Sequence, residues 1–163
     1  MIAILDNIRS LHNVGSIFRT ADAAGIEKIY LCGITPEPVD RFGRFRPQFV
    51  KVSLGAERSV KWDASPGSAL ATLKLLEKLK KEGYKIFAVE QDKKAIPYYT
   101  LNPIPHALNK VALVFGNEVK GLSKAILKKA DKILEIPMRG KKESLNVSVA
   151  FGIIAFHLVN LNK

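Results

Sequence analysis

The chain is poor in cysteine and contains no long uninterrupted apolar run. Cys32 is the only cysteine among 163 residues, so no disulfide can form within the chain, and we expect a reducing compartment. Residues 145–161 form the longest apolar-rich stretch, but polar residues such as Asn146 and His157 interrupt it, which favours a core helix over a membrane span. Because no basic segment followed by an apolar one opens the chain, we expect a cytoplasmic protein with no membrane association.

Acidic side chains are also scarce relative to basic ones. The chain has 26 lysines and arginines against 15 aspartates and glutamates, a formal net charge of +11. Such an excess indicates a polyanionic partner, and nucleic acid is the leading candidate because each neutralised phosphate releases counterions. An anionic membrane surface would compete for this charge, but no basic amphipathic helix stands out. We therefore expect a nucleic-acid partner.

Several common kinds of site find no support in the sequence. The three histidines (His12, His106 and His157) are scattered, and no cysteine or carboxylate cluster has the spacing of metal ligands, so we expect no metal. Residues 116–123 nearly match the phosphate-binding loop G-x-x-x-x-G-K-[ST], but Leu122 occupies the position of the required lysine. No G-x-G-x-x-G follows a strand either. Nucleoside-triphosphate hydrolysis and the usual dinucleotide fold are therefore not indicated.

Short apolar strands alternate with helical patterns along the chain. The predicted strands are residues 2–5, 27–31, 84–89, 111–115 and 132–136. The predicted helices are residues 13–24, capped by Asn13; residues 65–83, opened by Ser65 and Pro66; residues 123–130; and the apolar segment 145–161. Residues 35–52 are predicted to be irregular. This alternation predicts one α/β domain over residues 1–163, with a mostly parallel sheet and helices on both faces.

Polar and glycine residues cluster just after three of these strands. In open α/β sheets ligands gather beyond the carboxyl ends of the strands, and the ends near Val89, Phe115 and Ile136 qualify. Polar groups at the start of an apolar helix need partners, since an unpaired buried polar group costs about 1–3 kcal/mol. A bound ligand would supply such partners. The alternative is that Gly116 and Gly121 merely form turns.

Residues 41–46 alternate arginine with phenylalanine, in the sequence RFGRFR. Guanidinium groups bind phosphates and aromatic rings stack on unpaired bases, so this segment is a candidate RNA-binding loop. Alternatively, the loop tucks both phenylalanines into the core and leaves its arginines in solvent. Arg19 has a similar alternative, because it lies opposite the apolar stripe of its predicted helix and could be an ordinary solvated residue.

Three segments together resemble the signature motifs of the SpoU (TrmH-type) RNA ribose methyltransferases, in the SPOUT superfamily. They are residues 13–21 (NVGSIFRTA), residues 115–123 (FGNEVKGLS) and residues 136–150 (IPMRGKKESLNVSVA). Each motif alone is moderately specific. All three in this order, over nearly the whole chain, are highly specific.

The resemblance implies an enzyme that methylates a ribose 2′-hydroxyl of RNA with S-adenosylmethionine as the cofactor. It also implies a homodimer and a trefoil knot in the C-terminal half of the fold. Neither feature follows from periodicity, since chains are in general expected to be unknotted. Transfer RNA is the expected substrate in preference to ribosomal RNA, by analogy with small members of the family. The alternative function is a catalytically silent RNA-binding protein of the same fold.

The resemblance also assigns expected roles to individual residues. The expected catalytic residues are Arg19, Asn13, Glu118, Ser144 and Asn146. The expected cofactor-binding residues are Val89, Gly116, Asn117, Gly121, Ile136, Met138, Ser144 and Leu145. The expected RNA-binding residues are Arg19, Arg41, Arg44 and Arg46. Because arginine is always protonated in proteins, we expect Arg19 to position a phosphate and to stabilise a developing alkoxide rather than to act as a base.

Overall fold

One open sheet of seven strands runs through the part of the chain that the computed structural model describes, residues 1–66, 69–101 and 110–161. The strands are β1 (Ile2–Asp6), β2 (Lys28–Gly33), β3 (Lys61–Pro66), β4 (Lys85–Val89), β5 (Ile96–Pro97), β6 (Val111–Phe115) and β7 (Lys132–Glu135). Their order is β3-β2-β1-β6-β4-β7-β5. Every pairing between these strands is parallel, which confirms the predicted α/β class.

Helices cover both faces of the sheet, as predicted. They are α1 (Leu11–Ala24), α2 (Pro47–Ser53), α3 (Ala56–Ser59), α4 (Ala69–Lys81), α5 (Lys124–Lys129) and α6 (Val147–Leu161), and residues Tyr98–Thr100 form a short 3₁₀ turn. α1, α2 and α6 contribute to one apolar cluster, and α4 and α5 contribute to a second. Among the described residues, no helix combines the length and apolar character needed to cross a bilayer.

Alternation along β1 divides its side chains between the two clusters. Ala3 and Leu5 lie in the cluster under α1 and α6, while Ile2 and Ile4 lie in the cluster under α4 and α5. Successive side chains of a strand point to opposite faces, and a central parallel strand is apolar on both faces because helices cover both. The strongly apolar sequence of β1 therefore agrees with its position between two other strands, β2 and β6.

The prediction that Ser65 and Pro66 open a helix was wrong, and the strand at residues 61–66 was not predicted. Residues 61–66 form β3, so Ser65 and Pro66 belong to a strand rather than to a helix N-terminus, and α4 begins at Ala69. β3 is at one edge of the sheet and pairs only with β2. An edge strand buries little, so the sequence Lys61-Trp62-Asp63 carries no apolar run that would have indicated it.

Two other boundaries differ from the prediction. The N-cap of α1 is Ser10, whose hydroxyl accepts a hydrogen bond from the backbone N–H of Asn13 at 3.2 Å. Asn13 is therefore inside the helix, and its side chain is available for other contacts. The predicted irregular segment 35–52 contains most of α2, which Pro47 opens at a position where proline is favoured.

The order of the strands determines where the predicted site residues meet. β1, β6, β4 and β7 are successive neighbours in the sheet and are all parallel, so their carboxyl ends lie side by side. The segments that follow these ends are residues 7–13, 116–121, 90–91 and 136–146. The predicted knot, the homodimer and the single-domain boundary stay predictions.

Candidate functional site

A cleft of about 830 Å³ lies at the carboxyl ends of β1, β6 and β4. Its volume is within the range of about 300–1,000 Å³ that is typical of sites for small organic ligands. We call it the main cleft. The predicted residues that line it are Asn13, Val89, Gly116, Asn117, Glu118, Gly121, Ser144, Leu145 and Asn146. The loop 116–121 and the predicted segment 136–146 therefore meet at this cleft, the latter through its last residues, 144–146.

A smaller apolar side pocket of about 150 Å³ adjoins the main cleft. Val89, Ser144 and Leu145 line both cavities, and the predicted residues Ile136 and Met138 line only the side pocket. Of the predicted cofactor residues, only Ile136 and Met138 lie outside the lining of the main cleft, and both are apolar. Such a pair of cavities suits an organic ligand with both polar and apolar parts.

Glu118 binds the N-terminus of α1. Its carboxylate accepts hydrogen bonds from the backbone N–H groups of Arg9 at 2.9 Å and Ser10 at 3.1 Å, and from Nδ2 of Asn13 at 3.0 Å. Partial burial raises the pKa of Glu118, but the hydrogen bonds from Arg9, Asn13 and Ser10 outweigh it and hold the pKa below its ordinary value of 4.5. A carboxylate at a helix N-terminus is also stabilised by the helix dipole. Glu118 is therefore ionised at neutral pH.

Asn146 extends this network to the third motif. Its Nδ2 donates to Oδ1 of Asn13 at 3.0 Å, and its Oδ1 accepts from the backbone N–H and the hydroxyl of Ser148 at 2.8 and 2.7 Å. The amide thus caps α6 while its other end binds Asn13. The consecutive bonds Glu118–Asn13 and Asn13–Asn146 join the three motif segments, and they span 105 and 133 residues of the chain.

The loop 116–121 is held in one shape by its own polar groups. Oδ1 of Asn117 accepts from the backbone N–H groups of residues 119 and 120 at 3.0 and 2.9 Å, and Nδ2 of Asn117 donates to the carbonyl of Asn7 at 2.7 Å. Gly116 approaches the backbone of Gly121 and Leu122 so closely that a Cβ at Gly116 would be 2.7 Å from their atoms. The glycines therefore do more than form a turn, because they let two backbone segments meet at the wall of the main cleft.

Glu90 is a cleft residue that the sequence did not identify. Its carboxylate accepts from the backbone N–H groups of Leu122 at 2.7 Å and Gln91 at 2.9 Å, which ties the end of β4 to the loop 116–121. Gly121 has φ of 62°, and a Cβ there would be 2.2 Å from Oε2 of Glu90. Only glycine satisfies both conditions. The position of Glu90 after a predicted strand was the available signal.

Arg9 and Ser10 also line the main cleft and were not predicted. Both lie in the segment that follows β1, so the rule about carboxyl ends of strands applies to them as well. From the sequence, this rule was applied only to the strands that end near Val89, Phe115 and Ile136. Arg9 has the only basic side chain among the residues that line the main cleft in the described part of the chain.

Arg19 is not brought to the main cleft of its own chain. It is exposed on α1, six residues and about 9 Å along the helix axis from Asn13, and it is not among the lining residues. This exposure agrees with the alternative of a solvated residue within one chain.

The candidate RNA-binding loop also lies outside the lining of the main cleft. The guanidinium groups of Arg41 and Arg44 are 4.7 and 5.8 Å from the ring centroid of Phe42, which is 67% exposed. The alternative in which both phenylalanines are tucked into the core is therefore wrong for Phe42. Arg46 donates from Nε to the carbonyl of Val39 at 2.9 Å, so part of its guanidinium stabilises the loop itself.

The main cleft offers two carboxylates, several amides and hydroxyls, exposed backbone and an apolar neighbour. In the ranges 1–66, 69–101 and 110–161, no group of three or more histidine, cysteine or acidic side chains is arranged to hold a metal. The polar groups Glu118, Asn13 and Asn146 are fixed by mutual bonds rather than left to rotate. The arrangement is suited to holding an organic ligand and orienting a second reactant beside it.

Comparisons with known proteins agree with this geometry. The sequence profile of the SpoU rRNA Methylase family matches residues 1–156. A tRNA (guanosine(18)-2′-O)-methyltransferase of Aquifex aeolicus (strain VF5) is 32% identical over 157 residues, which are 96% of this chain and 67% of that protein. The curated relatives are longer, and the chain spans about 57% to 67% of their length.

Two solved structures show the same fold. An AdoMet-bound rRNA methyltransferase from Sinorhizobium meliloti has a TM-score of 0.82 at 27% identity, with 98% of this chain and 55% of that chain covered. A structure that concerns the 2-OH methylation of C/U34 on tRNA has a TM-score of 0.76 at 26% identity, with 98% of this chain and 94% of that chain covered. From the family profile matched over residues 1–156 and these likenesses, the chain belongs to the SpoU rRNA Methylase family.

Proposed function

We propose that the protein methylates a ribose 2′-hydroxyl of RNA with S-adenosylmethionine as the methyl donor, and that it prefers tRNA to rRNA. The observation that carries the proposal is the network Glu118–Asn13–Asn146, which joins all three motif segments at one cleft. Family membership supports the reaction class, and the relative from Aquifex aeolicus is named as a 2′-O-methyltransferase of tRNA.

The residues of the two cavities fit the cofactor. The glycines at positions 116 and 121 line the main cleft, and a Cβ at either position would clash with Leu122 or Glu90 and so displace the wall of the cleft. The apolar side pocket adjoins the main cleft, which has both polar and apolar lining residues, and the carboxylates of Glu90 and Glu118 complement a ligand that carries positive charge. The residues that would hold it are Val89, Gly116, Asn117, Gly121, Ser144 and Leu145, with Ile136 and Met138 in the side pocket. When bound, S-adenosylmethionine supplies an electrophilic methyl group on a sulfonium centre.

The protein's own residues would orient the ribose. Asn13 is fixed between Glu118 and Asn146, so its amide has a defined direction at the wall of the main cleft. Ser144 lines the same wall and offers a hydroxyl that can donate to or accept from the ribose. Holding the reacting groups in one geometry removes much of the entropic part of a reaction barrier.

We further propose that the active form is a homodimer in which Arg19 of one copy serves the cleft of the other. Arg19 lies outside the cleft of its own chain, so a second copy is needed if it contributes. α6 packs beside α1 and exposes Val149 and Phe156, which are 50% and 42% exposed and two helical turns apart on one face. Arg19 would there position a phosphate and stabilise negative charge on the ribose oxygen.

The choice of tRNA over rRNA is the finer part of the proposal. This chain covers 94% of the protein in the structure concerned with tRNA methylation, so the two are close in length. The S. meliloti protein, an rRNA methyltransferase, is longer, and this chain covers 55% of it. The net charge of +11 supports an RNA substrate of either kind, because each neutralised phosphate releases counterions.

A labelling experiment tests the proposal. The protein is incubated with S-adenosylmethionine labelled in the methyl group, with separated tRNA and rRNA, and the RNA is digested to nucleosides. We expect label in a 2′-O-methylated nucleoside from tRNA. Label only in rRNA would contradict the tRNA preference, and label on a base would contradict the ribose assignment.

Arg19→Ala tests the role of Arg19 in the same assay. We expect methyl incorporation to fall to background while the affinity for S-adenosylhomocysteine, measured by calorimetry, stays within about threefold, because Arg19 does not line the main cleft of its own chain. Full activity of this variant would remove Arg19 from the mechanism. RNA binding by the unmodified protein without any cofactor binding at millimolar concentration would favour the catalytically silent alternative.

A further inference from the structure

The main cleft is acidic apart from a single side chain. Glu90 and Glu118 both line it, and Arg9 is the one basic residue among its described lining residues. RNA is a polyanion, so a cleft with two carboxylates and no cation would repel the phosphates on either side of a bound ribose. A cation at this position would remove part of that repulsion.

We propose that Arg9 binds a phosphate of the substrate RNA at the mouth of the main cleft and thereby seats the target ribose. The proposal rests on the proposed function and adds a phosphate-binding position to it. This position is in the same chain as the cleft. It is distinct from Arg19, which lies outside that cleft, and from the loop 41–46.

The backbone of Arg9 is fixed while its side chain is free. Its N–H donates to Oε2 of Glu118 at 2.9 Å, which anchors the residue at the start of α1. Arg9 is exposed, and its guanidinium forms no hydrogen bond or ion pair with any residue in the described ranges 1–66, 69–101 and 110–161. A guanidinium held at its base and unpaired at its tip is available to a ligand.

The two carboxylates of the main cleft do not neutralise Arg9, because each is already engaged. Glu118 accepts from Arg9 N, Ser10 N and Asn13 Nδ2, and Glu90 accepts from the backbone of Leu122 and Gln91. Neither carboxylate forms an ion pair with the Arg9 guanidinium within the described part of the chain. Arg9, Glu90 and Glu118 therefore line the same cleft, with no ion pair between them in the described ranges.

The chemistry of arginine favours phosphate as its ligand. The planar guanidinium presents paired donors that match two oxygens of a phosphate, and every ribose within an RNA strand has a phosphate on each side. The carboxylate of the cofactor is the competing anion. Arg9 lies in the segment after β1, at an exposed rim and outside the glycine loop 116–121 that forms the cofactor cradle, which favours the RNA phosphate.

Arg9→Gln and Arg9→Lys test the proposal, with Lys81→Gln as the control. Lys81 is exposed on α4, and its substitution removes the same charge outside the main cleft. RNA affinity is measured by fluorescence anisotropy over a series of salt concentrations, S-adenosylhomocysteine affinity by calorimetry, and Tm by thermal unfolding.

For Arg9→Gln we expect RNA to bind about tenfold more weakly, and the slope of log K against log salt to become shallower by about 0.7–0.9. KM for RNA should rise more than kcat falls. The affinity for S-adenosylhomocysteine and Tm should not change, since only the backbone of Arg9 has a partner. Arg9→Lys should keep the salt slope and recover part of the affinity, because it keeps the charge but not the planar fork. Lys81→Gln should change RNA affinity less than twofold.

Three results would overturn the proposal. If the unmodified protein is active and Arg9→Gln leaves RNA affinity and salt slope unchanged, the assignment of Arg9 is overturned while the proposed function stands. Weaker S-adenosylhomocysteine binding with unchanged RNA binding would assign Arg9 to the cofactor carboxylate instead. An unmodified protein that neither binds nor methylates RNA would overturn the proposed function, and this phosphate position with it.

Discussion

Glu118→Gln removes one charge from the network that joins the three motif segments. The carboxylate accepts three hydrogen bonds, from Arg9 N, Ser10 N and Nδ2 of Asn13. Glutamine keeps one carbonyl oxygen and replaces the other by an NH₂ group, which faces a donor and cannot accept from it. The substitution therefore leaves at least one N–H at the start of α1 without its partner while the volume of the side chain is kept.

The expected loss of stability is about 1 kcal/mol. Loss of a side-chain cap at a helix N-terminus costs about 0.5–2 kcal/mol, and Glu118 is exposed, so water replaces part of the lost bonding and places the effect in the lower half of that range. For a domain of 163 residues, a loss of about 1 kcal/mol lowers Tm by about 2–4 °C.

The loss should depend on pH in a defined direction. The pKa of Glu118 is lower in the folded protein than its ordinary value of 4.5, so the stabilisation by the carboxylate is fully present above pH 4.5. It is lost as pH falls through the folded pKa, where the unmodified side chain also becomes neutral. The difference in Tm between the unmodified protein and Glu118→Gln should be largest at neutral pH and should close in acid.

Thermal unfolding followed by circular dichroism measures this difference, with Glu82→Gln as the control. Glu82 is 3.9 Å from Lys78 Nζ in an exposed pair, which is expected to contribute less than about 0.5 kcal/mol. Equal Tm values for the two variants at pH 7, or a Glu118→Gln deficit that persists undiminished in acid, would refute the role assigned to the carboxylate.

Two further substitutions test other parts of the site. Gly116→Ala would place a Cβ 2.7 Å from backbone atoms of Gly121 and Leu122. We therefore expect at least about tenfold weaker S-adenosylhomocysteine binding in calorimetry. The control is Gly140→Ala, where a Cβ meets nothing within 4 Å, and this variant should bind S-adenosylhomocysteine normally. Arg41→Ala combined with Arg44→Ala should weaken RNA binding and make the salt slope shallower by about 1.4–1.8 without changing Tm. An unchanged slope would show that the loop 41–46 faces away from the RNA.

The central elements of the fold were predictable because buried segments have recognisable local patterns of apolar residues. β1 and β6 are apolar on both faces and are buried at every residue, and α1 carries an apolar stripe that ends at Gly25. β3 was not predictable in this way, since an edge strand with one neighbour needs little apolar sequence.

Contacts across the site were less accessible to local patterns. Asn13 was identified as a helix cap, a role that a local pattern assigns to asparagine, but Ser10 is the cap and Asn13 binds Asn146, 133 residues further along the chain. Only the strand order β1-β6-β4-β7 brings such residues together. Arg9 and Glu90 show the same limit, since the strand-end rule indicates a segment and not the side chain that faces the ligand.

Amide chemical shifts of the ¹⁵N-labelled protein during a titration with S-adenosylmethionine would show directly where the methyl donor binds. We predict that the largest shifts are at residues 116–121 and 144–146, with smaller shifts at Val89 and Glu90 beside them. A second cavity of about 640 Å³ lies near Gly25 and Lys61, away from these loops. Shifts concentrated around that cavity, or no shifts at saturating ligand, would contradict the assignment of the main cleft as the cofactor site.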